Sequence, residues 1–61
     1  MKIGDKVIAT FPDDSQSDVG TIIEGPIFRD GAAVFKVRHP DFDNWLPAVW
    51  LRPYLRAVNS N

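Results

Sequence analysis

The residues able to do chemistry in this chain are few, and most stand alone. His39 is the only histidine, and imidazole chemistry needs further ligands to hold a metal or a positioned partner to move a proton. No carboxylates at ligand spacing accompany it, so no metal site is expected, and beside Pro40 it reads as a stiffened turn residue. Ser15, Ser17 and Ser60 lie in polar stretches with no base near in sequence, which leaves a hydrolytic triad without support. Asp13, Asp14 and Asp18 belong to the segment PDDSQSD, where carboxylates form turns and keep a loop in water. Gly4, Gly20, Gly25 and Gly31 are isolated, so there is no glycine-rich phosphate cradle. The absence of cysteine excludes thiolate ligands, thiol nucleophiles and disulfides together. No catalytic residue is assigned, and the balance leans away from an enzyme.

What remains is recognition. Phe42, Trp45 and Trp50 crowd into nine positions beside Pro40 and Pro47, whereas so small an interior holds about two large rings. At least one ring is therefore expected at the surface, where an exposed aromatic marks a contact site. Two positions stay open for Trp45, packed beneath the first loop or standing outside; Trp50 is expected in the core or in a contact between protomers. Residues 1–30 carry a charge of −3 and residues 31–61 a charge of +2, so Lys36, Arg38, Arg52 and Arg56 could form a modest basic face. The isoelectric point near 5.5 argues against a duplex binder and for a solvated mixed surface.

The elements that must position these residues are short. Pro12, Pro26, Pro40, Pro47 and Pro53 recur along the chain and leave no stretch for a long helix. Alternation predicts a strand over 6–11, with Val7, Ala9 and Phe11 on one face. The polar segment 12–18 reads as an exposed loop. A second strand is expected over 19–24, bent at Gly25-Pro26 and resuming at Ile27-Phe28 before Asp30-Gly31 turns the chain. Ala32 to Arg38 reads as a third strand, apolar through Ala33, Phe35 and Val37 on one face and cationic on the other. A fourth strand is expected over 43–46, a single helical turn over 47–51 with Pro47 first and Pro53 as its stop, and a fifth strand over 54–58. The fold class is thus all-β, a five-stranded SH3-like barrel with one 3₁₀ turn before the last strand. Residues 1–58 form the domain and 59–61 a frayed tail.

Composition agrees with that class. At 61 residues, 44% apolar and 25% charged, the chain is globular rather than disordered. A domain of this length hides only about 60% of its unfolded surface, so association with further copies is an inexpensive supplement to its core. No run reaches the roughly 18 apolar residues of a membrane span, and no secretory signal is visible, which points to the cytoplasm.

From Gly31 onward the chain resembles the plasmid-borne type II, trimethoprim-insensitive dihydrofolate reductases, which are SH3-like barrels. The resemblance is carried by Gly31-Ala32-Ala33-Val34, His39-Pro40, Pro47 and Leu51 at the family's intervals, with Gly4-Asp5-Lys6-Val7 similar to the opening of its first strand. It covers roughly half the chain, and implies protomers around a shared pore that holds NADPH and folate. The pore segment Val-Gln-Ile-Tyr of that family reads Asp43-Asn44-Trp45-Leu46 here, and Ala9 or Thr10 stands where the family places a lysine. The resemblance therefore implies fold and assembly rather than reductase chemistry. A fainter similarity to the small accessory barrels of photosystem I points to docking on a larger complex.

Together these readings predict a small interaction module that self-associates or docks to a protein partner through Phe42, Asn44, Trp45, Leu46 and Trp50, with Lys36 and Arg38 orienting the contact and no cofactor. The alternatives are a reductase-like oligomer with NADPH and folate in its pore and, last, a weak nucleic-acid binder.

Overall fold

The computed structural model describes residues 1–55. Its elements are β1 (Lys6–Ala9), β2 (Gly20–Arg29), β3 (Ala32–Arg38), β4 (Asp43–Pro47), a 3₁₀ turn (Ala48–Trp50) and β5 (Leu51–Pro53). The expected all-β class is observed: five antiparallel strands make one sheet in the order β4-β3-β2-β1-β5. Among the described residues β4 and β5 are its edges and do not pair with each other, so hydrogen bonding between them does not close the sheet. No helix among the described residues is long and apolar enough to cross a membrane.

Alternation explains how these strands bury one face. Val7 and Ala9 of β1, Ile22 of β2, Phe35 and Val37 of β3, Leu46 of β4 and Leu51 of β5 form the core, with Phe11, Ala48 and Trp50 packed against it. β3 occupies the residues expected of it. β2 runs without interruption through its bend, with register shifts against β3 between Ile22 and Glu24 and between Glu24 and Ile27, and a cis bond joins Gly25 to Pro26. Gly25 has φ +109°, and a Cβ there would lie 2.9 Å from the Val34 carbonyl oxygen and 3.1 Å from Phe35 Cα. Only glycine passes through that space in that conformation. Asp30 and Gly31, with φ 51° and 79°, link the paired residues Arg29 and Ala32 as a two-residue hairpin loop of the kind that matches strand twist.

The last strand lies elsewhere than expected. It spans Leu51–Pro53 and pairs with β1 through Val7↔Pro53, Ile8↔Arg52 and Ala9↔Leu51. Pro53 therefore sits inside a strand and does not mark the stop of a helical turn, which an edge position permits because its missing N–H is not required there. Tyr54 follows the strand, its amide donating to the Lys6 carbonyl at 2.8 Å. The rest of the expected 54–58 strand from residue 56 on, and the expected tail 59–61, lie outside the described residues.

Candidate binding surface

The site is built by β4 lying against β3. The His39 amide donates to the Phe42 carbonyl at 2.8 Å, and the register continues through Val37↔Asn44 and Phe35↔Leu46. Antiparallel bonding alternates, so Phe42, Asn44 and Leu46 turn their backbone groups to β3 while Asp43, Trp45 and Pro47 turn theirs away. Paired residues share a face. The inner face joins Phe35 to Leu46 and Val37 to Asn44; the outer face joins Arg38 to Asp43, Lys36 to Trp45 and Val34 to Pro47.

Pairing with β2 extends the outer face into three rows: Thr21, Arg38 and Asp43; Glu24, Lys36 and Trp45; Ile27, Val34 and Pro47. The first row is polar. Arg38 Nε donates to Asp43 Oδ1 at 3.2 Å and its Nη2 to Oδ2 at 3.4 Å, and Lys6 Nζ donates to Thr21 Oγ1 at 2.6 Å. The hydrogen bonds from Arg38 hold the Asp43 carboxyl below its ordinary value, and the same bonds raise the Arg38 guanidinium. In the second row Lys36 Nζ lies 3.4 Å from Glu24 Oε2. The third row is apolar. Trp45 thus stands at the sheet edge, at the end of the row that holds the Lys36–Glu24 pair, with the Arg38–Asp43 pair on one side and the apolar row on the other.

The two indoles have different surroundings. Trp50 packs against the core and meets Phe11 edge to face, with ring centroids 5.7 Å apart. Trp45 is half-buried and is not among the side chains packed on the core.

The expected contact set does not form one surface. Lys36, Arg38 and Trp45 share the outer face. Leu46 is 5% exposed and belongs to the core, so it is withdrawn from the surface; Trp50, half-buried like Trp45, packs against the core from the 3₁₀ turn that follows β4. Asn44 is exposed but on the inner side of the strand, where it cannot act beside Trp45. Phe42 is 54% exposed and stacks on His39 with centroids 4.9 Å apart. The strand period causes this division: neighbours in sequence are opposed across a sheet.

His39, expected as a turn residue beside Pro40, is buried. It is 5% exposed, and neither ring nitrogen has a hydrogen-bond partner among the described residues. A Cβ on Gly20 would lie 3.0 Å from its Nε2, so the glycine makes room for the ring. The signal was its parity with Phe35 and Val37. Glu24 and Asp43 were missed as partners of Lys36 and Arg38, because only register brings them together. The basic face does not assemble among the described residues: Lys36 and Arg38 are paired with carboxylates, Arg52 lies on β5 at the opposite edge, and Arg56 lies outside those residues.

Comparison of the chain with models of known families, with curated proteins and with solved structures finds no match.

Proposed function

We propose that this chain is a small SH3-like binding module that acts by self-association or by docking to a protein partner through the outer face of β3 and β4. The strand order, the bend of β2 at Gly25-Pro26 and the 3₁₀ turn leading into the last strand support the SH3-like reading. The observation that carries the functional reading is Trp45, a large ring placed on the sheet face away from the core. A partner that covers the indole removes apolar surface from water, a gain of roughly 2 kcal/mol for such a side chain, and the Ile27, Val34 and Pro47 row extends the covered strip. Lys36 and Arg38, already held by Glu24 and Asp43, orient the contact in place of Asn44. Pre-formed pairs of this kind lose little freedom on binding.

The test is sedimentation of wild type and Trp45→Ala over rising concentration, with far-ultraviolet circular dichroism in parallel. Association weakened at least about tenfold, equal to 1.4 kcal/mol, with an unchanged spectrum is expected. Loss of the folded spectrum together with association would make Trp45 a structural residue and end this reading.

A further inference from the structure

We propose that the partner of the Trp45 surface is a second copy of this chain, joined along the outer edge of β4 in an antiparallel two-fold pair centred on Trp45. This rests on the binding reading above and adds the partner and its mode of attachment. The backbone carries the inference. The N–H and C=O groups of Asp43 and Trp45, and the Pro47 carbonyl, face away from β3 by the alternation of the ladder. Among the described residues no strand pairs with that side of β4, and no other backbone bond reaches these groups. A strand edge in this state is a template for another strand.

The opposite edge offers no such template. Thr10 donates to the Trp50 carbonyl and Tyr54 to that of Lys6, so Arg52 turns toward β1 while Leu51 and Pro53 turn outward. The Leu51 amide is taken by the Ala48 carbonyl, and Pro53 has none. Addition at β4 alone gives a closed pair rather than a growing stack.

The occupant follows from the residues of β4 read against themselves. With Trp45 opposite Trp45 of the other copy, the two amides and carbonyls exchange bonds, and each Asp43 amide reaches the Pro47 carbonyl of the other copy. The proline's missing N–H falls at the end of the ladder. Asp43, the only charged residue of the strand, meets an uncharged proline, and the two aspartates lie at opposite ends. A register with Asp43 against Asp43 sets like charges across the pair. A one-residue slip sets the outer Trp45 beside the other copy's Asn44 or Leu46 and breaks the match of faces. The centred register alone keeps Lys36, Trp45, Trp45 and Lys36 in one continuous row on the outer face.

Amide hydrogen exchange on the full chain, followed with protein concentration, tests this directly. Exchange at Asp43 and Trp45 is expected to slow about fivefold at a protein concentration ten times the dimer Kd, as the mass rises from 6.9 kDa toward twice that value. A second measurement uses the lack of native cysteine: Trp45→Cys places two thiols across a backbone separation of about 5.5 Å, which a disulfide spans. Mild oxidation of both variants, at a protein concentration raised at least about tenfold to offset the lost indole, should cross-link Trp45→Cys faster than Lys36→Cys. A doubled mass without protection of the two amides, or equal cross-linking of both variants, would overturn edge pairing and leave the Trp45 face as a binding surface of another geometry. A mass of 6.9 kDa up to millimolar concentration would overturn the second copy as partner and leave a different protein in its place.

Discussion

Among the described residues β4 and β5 each pair with a single neighbour, β3 and β1 respectively, and each contains a proline. In β5 the proline faces outward and the other outward amide is bonded to the 3₁₀ turn, so the edge presents no donor. In β4 the proline is also outward but lies at the end of a longer strand, and Asp43 and Trp45 keep their donors free of β3. A proline therefore protects an edge according to its parity and its distance from the strand end, not by presence alone. The same parity decides the side chains. On β4 it sends Leu46 into the core and Trp45 to the outer face, so one short strand is anchored on one side and available on the other.

Four variants break or sharpen this contrast. Leu46→Ala removes the anchor and should cost about 2 to 5 kcal/mol of stability, read from urea unfolding; a loss like that of an exposed residue would deny β4 its core side. Gly25→Ala acts on the bend of β2, a strand that pairs with β3 on both sides of the bend and with β1 at Gly20 and Thr21. Strain at φ +109° and the approach to the Val34 carbonyl predict a loss of about 1 to 3 kcal/mol, measured by thermal unfolding. Pro53→Thr should change stability by no more than about 0.5 kcal/mol but give β5 an outward amide. Assemblies larger than a dimer in sedimentation are then expected, and an unaltered distribution would show that the proline is not what guards that edge.

The smallest effect concerns the Arg38 and Asp43 pair. Asp43 sits below its ordinary value in the fold because Arg38 bonds its charged form. Its contribution is therefore present above the unfolded value of about 3.9 and is lost as pH falls through the lower folded value. Both groups are solvated, so the effect on stability is slight. Carboxyl resonances of Asp43 should titrate at higher pH in Arg38→Gln than in wild type, and an unmoved midpoint would show that the fork does not persist in solution.

Much of the architecture was legible because it depends on local signals. The alternation of 6–11 and 32–38, the Asp30-Gly31 loop and the polar first loop each rest on neighbouring residues, and all are observed except that β1 ends two residues early. The fifth strand lies earlier than its local pattern suggests because Pro53 resembles a terminator, whereas at an edge its missing donor has no consequence. The contact surface was legible only in part. Lys36, Arg38 and Trp45 do share the outer face, but Phe42, Asn44 and Leu46 are close to them only along the chain, and a period of two separates such neighbours. Burial of His39 and the carboxylate partners of the two cations depend on pairing between strands, which no local pattern specifies.

The claim on which this account turns is that one indole serves the core and the other does not. Urea unfolding of Trp45→Ala and Trp50→Ala side by side measures it most directly. Trp50→Ala should lose about 3 kcal/mol or more, and Trp45→Ala about 1 kcal/mol or less. Equal losses, or a greater loss at Trp45, would contradict it.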